Sequence, residues 1–330
     1  MHSVVIVGAG AMGCLFAARL AEAGADVTLV DVDRPRLDAI ARDGVTIDDD
    51  LGVRTIPIAA MTAADLRGPP DLVLLFTKGI HSAAATRSVA HLASPDTYAL
   101  TLQNGIGNAE ILAETFAPGR VLLGVTALPS NLEGPTRISS HGSGYIVLGS
   151  LVSEGSPGAE GAARLLRRAK LDVRVDTDVE VAVWEKVAFN AALNPLGAIT
   201  GLTNGEIDNP EGRRIVLAVV AETVAIAAAK GVLLDEARVR QQVDHALAHH
   251  RDHRASMLQD RMAGRQTEIE SISGAIVREG ERNGVAAPVT AVMADLMRLI
   301  DRNARKLSDQ GAQMPELKHL GRSSPEAGER

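Results

Sequence analysis

Val4-Val5-Ile6-Val7 runs straight into Gly8-Ala9-Gly10-Ala11-Met12-Gly13 and on into Cys14-Leu15-Phe16-Ala17-Ala18-Arg19-Leu20-Ala21. A β-branched apolar run, glycines in the spacing GxGxxG and an Ala/Leu-rich stretch read as strand, tight turn and helix, the context in which that spacing points to a bound dinucleotide. In this reading Gly8 permits the turn, Gly10 lets the backbone approach a pyrophosphate, and Gly13 allows the helix to pack closely on the strand. Ala9, Ala11 and Met12 complete the loop, and the helix N-terminus offers free N–H donors to phosphates. A second strand, at 27–30, ends in Asp31, at the position where a carboxylate accepts the ribose hydroxyls of NAD(H) and repels the 2′-phosphate of NADP(H). Arg34 and Arg36 follow closely enough to contact a phosphate, so NADP(H) stays open.

Outward from this stretch, short apolar runs at 72–76, 98–102, 121–125 and 145–148 alternate with helical segments, as the βαβ units of a mostly parallel sheet do. Most of them are apolar enough to be buried on both faces. A helix at 159–170 leads to a strand at 172–175. Long Ala- and charge-rich segments with helical spacing then follow at 179–193, 211–230, 235–249, 266–283 and 287–305. The expected architecture is an α/β Rossmann-type N-terminal domain over 1–176 and an all-α C-terminal domain over 177–307. The helical domain would hold substrate and could supply a homodimer interface, and a tail at 308–330 is expected to be poorly ordered.

Of the 330 residues 46% are hydrophobic but only 2% aromatic, so Ala, Val and Leu must build the core. The single Cys14 cannot form an internal disulfide and reads as a small packing residue, which points to a reducing cytoplasm. With 34 Lys and Arg against 41 Asp and Glu, the net charge of −7 gives no electrostatic footprint for nucleic acid or an anionic membrane. The uncharged run at 187–205 holds Asn190, Asn194, Asn204 and Pro195 and is not expected to span a membrane. The uncharged start of the chain has no basic segment ahead of its apolar run and reads as folded structure, not as a signal peptide.

Lys186, just ahead of the run at 187–205, and Asn190 and Asn194 within it recur every four residues on one helix face, among otherwise apolar neighbours. A cation and two amides on an apolar helix need polar partners, and a substrate cleft supplies them better than a core. A solvated surface stripe is the plain alternative. Ser256-Met257-Leu258-Gln259-Asp260 and Thr267-Glu268-Ile269 form a second polar cluster in a region expected to be helical. His245, His249 and His253 are also spaced by four, but no acid or cysteine ligands accompany them. They read as a solvated or substrate-lining face, with no metal.

Taken together, these segments resemble the ketopantoate reductase family, the 2-dehydropantoate 2-reductases. The matching pieces are the glycine loop, Thr77-Lys78-Gly79, Gln103-Asn104-Gly105-Ile106-Gly107, the Lys186/Asn190/Asn194 stripe, and the segments around Ser256 and Glu268, in family order across 1–305. The resemblance implies NAD(P)H-dependent reduction of a 2-oxo acid to an (R)-2-hydroxy acid in the cleft between two domains. By similarity Lys186 is the catalytic lysine, and Glu268 is the acid that binds a substrate hydroxyl and assists it. Asn104, Asn190, Asn194 and Ser256 match substrate-contacting positions, and Lys78 and Asn104 lie near the cofactor. Hydride transfer to a ketone develops negative charge on its oxygen, which a nearby ammonium can stabilise and protonate, so no metal is required.

Two positions depart from the family pattern. Asp31-Val32 stands where NADPH-using members carry an arginine, and His253 stands where an asparagine often contacts substrate. The alternatives are an NAD-dependent D-2-hydroxyacid dehydrogenase of mandelate type, from the same superfamily, and a non-catalytic NAD(H) sensor, since fold does not fix function. The intact set of Lys186, Asn190 and Glu268 argues against the sensor.

Overall fold

Strands that are apolar on both faces need hydrogen-bonded neighbours and a covering layer on each side. In the computed structural model, which describes residues 1–309, the first half of the chain provides both. It runs β1 (Ser3–Val7), α1 (Ala11–Glu22), β2 (Asp26–Val30), α2 (Arg34–Asp43), β3 (Val45–Asp49), β4 (Gly52–Ile56), β5 (Ala59–Met61), β6 (Leu72–Leu75), α3 (Ser82–Ser88), β7 (Tyr98–Thr101), α4 (Asn108–Ala113), β8 (Val121–Thr126), β9 (Asn131–Leu132), β10 (Arg137–Ser140), β11 (Ile146–Ser150), α5 (Ser156–Arg168) and β12 (Val173–Val175). The large sheet has the order β12-β11-β8-β7-β6-β1-β2-β5. Its pairings are parallel except for β11 against β8. The Rossmann-type reading therefore holds, and α1 and α5 cover one face of the sheet with Ala- and Leu-rich surfaces, Phe16 among them.

Four strands form a second sheet, in the order β4-β3-β10-β9, which the sequence reading did not include. Its signal was present but short: Val45, Ile47 and Asp49 point inward in alternation, and Asp50-Leu51 close a two-residue hairpin before Gly52. Asp49 is a charge at an inward position, which blurs the alternation. It is tolerated there because Arg19 of α1 and Arg54 of β4 both pair with its fully buried carboxylate.

The second half is helical: α6 (Val179–Thr200), α7 (Asn204–Ile207), α8 (Pro210–Lys230), α9 (Glu236–His249), α10 (Ser256–Met262), α11 (Ser273–Asn283) and α12 (Pro288–Asp309). Two expectations change here. The helix expected over 179–193 continues through Pro195 to Thr200, although an interior proline costs about 3 kcal/mol. Burial of Leu193, Leu196 and Ala198 in the helical core offsets that cost, and the far end is closed by left-handed Gly201 and by Arg261, whose guanidinium donates to the carbonyls of Ala198 and Ile199. The helix expected over 266–283 begins only at Ser273. Thr267 donates through both its backbone N–H (3.3 Å) and its hydroxyl (2.7 Å) to Asp301 of α12, and this anchor holds the preceding segment in turns. α12 runs through Asp309, and 310–330, where most of the expected tail falls, lies outside the described residues.

The approach of α1 to β1 leaves no room for side chains. A Cβ on Gly13 would lie 1.8 Å from the Gly8 carbonyl oxygen, and Gly8, at φ 111°, has room for none against the backbone of Phe76. Gly13→Ala must push α1 off the sheet. It should cost about 1–3 kcal/mol, read as a lower urea midpoint, together with weaker dinucleotide binding. An unchanged midpoint and affinity would show that the close approach is not needed.

Candidate active site

The order of the sheet reverses between β6 and β1, so the crevice beyond their carboxyl ends is where a ligand fits. The glycine loop leaves β1 there and Lys78 follows β6. Asn104 follows β7, and Thr126 ends β8.

On the β1 side, Asp31 ties the end of β2 to the glycine loop. Its Oδ2 accepts the Ala9 N–H at 2.6 Å, and its Oδ1 accepts those of Val32 (2.7 Å) and Asp33 (3.1 Å). The α1 N-terminus has no side-chain cap, and a Cβ on Gly10 would meet no protein atom. Uncapped N–H groups under an open loop are what a pyrophosphate requires, so the residues present fit a dinucleotide. Arg36, in the first turn of α2, reaches Gly134 O at 3.4 Å, and its Nε is buried without a hydrogen-bond partner among the described residues. Burial pushes the Cys14 thiol up to about 11, against the pull of Arg36, consistent with a packing role.

On the other side, α6 carries Lys186, Asn190 and Asn194 toward the same crevice. Lys186 Nζ donates to the carbonyl of Thr126 at 2.6 Å. Removal from water lowers this ammonium to about 8, while the Glu268 carboxyl draws it back up. Glu268 accepts the Asn104 amide at 3.2 Å, with the Gly79 N–H at the limit of hydrogen bonding, 3.5 Å. Burial raises the Glu268 carboxyl above the ordinary range, and Asn104 and the Lys78 charge oppose that rise. Asn190 and Asn194 are buried, and Asn194 Nδ2 donates to Ser256 Oγ at 3.4 Å. Lys78 donates to Gln266 O at 2.7 Å and pairs with Asp260 at 2.6 Å.

The fold thus brings Lys186, Glu268, Asn104 and Lys78 together, and α6 carries Asn190 and Asn194 at the helical repeat of Lys186, with Ser256 against Asn194. His253 is exposed in the turn between α9 and α10, where its carbonyl accepts the Asn204 N–H. Although the side chain stays accessible, crowding by the surrounding turn removes part of its hydration, and with the nearby His250 this holds its ring below the usual imidazole range. Because α9 ends at His249, the spacing by four does not place His253 on a face with His245 and His249, which stack with centroids 4.4 Å apart. Among the described residues no group of three or more His, Cys, Asp or Glu could hold a metal ion. Sequence reasoning did not find Thr126 or Gln266, which act through backbone carbonyls that every residue type carries. Asp260 was visible inside a matching motif, but its partner lies 182 positions away.

Residues 4–153 match the ketopantoate reductase PanE/ApbA family, and residues 178–301 match ketopantoate reductase PanE/ApbA C terminal. The chain belongs to this family. It is an oxidoreductase acting on CH–OH groups. Among its relatives, the 2-dehydropantoate 2-reductase of Archaeoglobus fulgidus is 34% identical over 304 residues, covering 91% of this chain and 98% of that protein. That of Streptococcus pyogenes is 29% identical over 296 residues, covering 89% and 96%. Among solved structures, a ternary complex of D-mandelate dehydrogenase with NADH and anilino(oxo)acetate superposes with a TM-score of 0.88 at 26% identity, covering 92% of this chain and 99% of that one. The 2-dehydropantoate 2-reductase of Geobacter metallireducens gives 0.84 at 31% identity, covering 90% and 99%. Among the described residues no helix is long and apolar enough to cross a membrane.

The lowered ammonium of Lys186 can be observed without turnover. In protein whose lysines carry ¹³C-methyl groups, the signal lost in Lys186→Arg should titrate with a midpoint near 8, well below the model-peptide lysine value of about 10.4. A Lys186 midpoint of 10 or above would show an ammonium that water still reaches.

Proposed function

We propose that this ketopantoate reductase family member reduces a 2-oxo acid of the 2-dehydropantoate type to its (R)-2-hydroxy acid, with NADH preferred over NADPH. In this reading the nucleotide lies along the half up to 176, and the oxo acid lies against the helices that follow. The observation that carries it is the desolvated Lys186 ammonium on the Thr126 carbonyl, with Glu268 and its Asn104 partner beside it. A bound nicotinamide nucleotide supplies the hydride.

The protein's own residues do the rest. Lys186 faces the ketone oxygen as negative charge develops there, and transfers a proton from Nζ to it. An ammonium near 8 is mostly protonated at neutral pH yet gives up its proton more readily than an ordinary lysine. Asn190, Asn194, Ser256 and Asn104 hold the acid in one orientation, which removes rotational freedom before the transfer. Glu268 accepts a hydroxyl of the substrate and favours the charged form of Lys186.

The sign of the pH dependence follows from these groups. The proton-donating form of Lys186 predominates below about 8, so on the alkaline side kcat/KM for reduction should fall up to about tenfold per pH unit above that value. Lys186→Ala should lower kcat by about two to four decades and leave NADH affinity nearly intact. A variant that keeps more than about a tenth of wild-type turnover would remove Lys186 from this role.

Asp31 supports the choice of NADH. Its carboxylate faces the loop where a ribose would lie, and exposed Val32 offers no cation to a 2′-phosphate. Like-charge repulsion should favour NADH by about ten- to a hundredfold in kcat/KM. Equal or better use of NADPH would refute this preference and direct attention to Arg34 and Arg36.

A mandelate-type D-2-hydroxyacid dehydrogenase is the second reading, favoured by the backbone match to D-mandelate dehydrogenase together with Asp31. A panel of 2-oxo acids separates the two. We expect 2-dehydropantoate to be turned over, with another branched or polar 2-oxo acid used at least comparably, and His253→Asn to shift the ratio toward 2-dehydropantoate. Strong wild-type discrimination for 2-dehydropantoate, unchanged in His253→Asn, would remove His253 from substrate choice.

A further inference from the structure

Lys78 stands between two carboxyl groups and touches only one of them. Its Nζ pairs with Asp260 Oδ2 at 2.6 Å and donates to Gln266 O at 2.7 Å, so a cation from the sheet half is held by the helical half across the crevice. Asp260 is in turn braced: its Oδ1 accepts Arg265 Nε at 2.9 Å, and its carbonyl accepts the Arg265 N–H at 2.8 Å. The Glu268 carboxyl lies beside residue 79, next in sequence to Lys78, within reach of that lysine's field but in no ion pair with it among the described residues. A flexible four-carbon stem could serve either carboxylate. The braced Asp260 decides which.

We propose that Asp260 is a positioning residue: it holds the Lys78 ammonium off Glu268 and so leaves Glu268 free to exchange its proton beside Lys186. The groups facing Lys78 are Asp260 and Arg265 from α10 and the turn after it, and Glu268 from the segment that follows; Lys186 of α6 lies within the field of Glu268. If Lys78 closed on Glu268, a contact ion pair would form, and such a pair holds a carboxyl ionised to a pH lower by about one to three units. Glu268 would then act as a fixed anion neutralised by Lys78. It would also support the charge of Lys186 less, because its own charge would be neutralised by Lys78.

The inference rests on the proposed role of Glu268, but its test does not need turnover. In full-length protein carrying ¹³C at glutamate Cδ, the Glu268 signal is identified by its loss in Glu268→Gln and titrated in each variant. Asp260→Asn should lower the Glu268 midpoint by at least one pH unit, and Asp260→Glu should restore it. Removing the Asp260 charge acts directly on Glu268 as well, so the same substitution is made in Lys78→Met. There it should move the midpoint by less than half as much, because the lysine carries most of the shift. Lys78→Met alone should raise the midpoint by less than about half a pH unit, since Lys78 is already engaged elsewhere; this arm remains if Asp260→Asn does not fold. An unmoved Glu268 midpoint in Asp260→Asn, an equal shift without Lys78, or a large rise in Lys78→Met alone would each overturn the proposal. With an active enzyme, the acid limb of kcat/KM for the 2-oxo acid should follow the same shift, which a merely structural tie would not move. If the carboxyl titrations behave as expected and no 2-oxo acid is reduced, the proposed function fails and the positioning role stands.

Discussion

The contact on which the rest of the molecule depends is the one between Gly13 and the Gly8 carbonyl, where helix and strand backbones meet with no side chain between them. That approach sets the uncapped end of α1 at the carboxyl edge of β1 and lets Asp31 reach back from β2 to the Ala9 N–H. Because β6 lies on the opposite side of β1 from β2, the loops that leave β1 and β6 diverge and open a crevice. The loops after β6 and β7 and the end of β8 come off the same edge and bring Lys78, Asn104 and the Thr126 carbonyl to it. One backbone contact thus decides where a nucleotide can lie and which strand ends surround it.

Against this edge stands α6, whose problem is the reverse: it must bury a cation. Isolated in a dry cleft, an ammonium would lose its proton, and paired at contact with a carboxylate it would hold it too firmly. Lys186 sits between these limits. It donates to a carbonyl and has a carboxyl nearby that favours its charge without forming a contact ion pair among the described residues. Glu268 is balanced similarly by burial on one hand and by Asn104 and Lys78 on the other. Two groups with opposite charges, each moved toward neutral pH by burial, are suited to exchanging a proton.

Much of this was legible in the sequence. The glycine loop and its flanking runs specify the Rossmann-type sheet because each local choice agrees with the next: branched residues for buried strands, glycines where backbones touch, alanines where a helix must lie close. The four-residue spacing of Lys186, Asn190 and Asn194 was readable because a helix repeats its faces, and α6 keeps them together. What could not be read were features in which distant partners overrule local preference. Pro195 marks a helix end by its own chemistry, yet α6 continues because its neighbours are buried. Residues 266–272 have helical composition but remain in turns, because Thr267 is anchored to Asp301, 34 positions away. His253 shares the spacing of His249 but lies beyond the end of α9.

The sequence by itself determined the fold class, the glycine loop and the residue types of the candidate site, because these rest on short-range geometry: a turn that only glycine makes, a helix face that repeats, a strand that alternates. The tertiary structure alone decided how those residues are charged. The lowered ammonium of Lys186 arises from its removal from water, and the raised carboxyl of Glu268 arises from burial among groups drawn from both halves of the chain. The choice of Lys78 between two carboxylates likewise depends on a contact spanning 182 positions. Solvent exclusion and Coulomb interactions act through space, so no local stretch of sequence carries them.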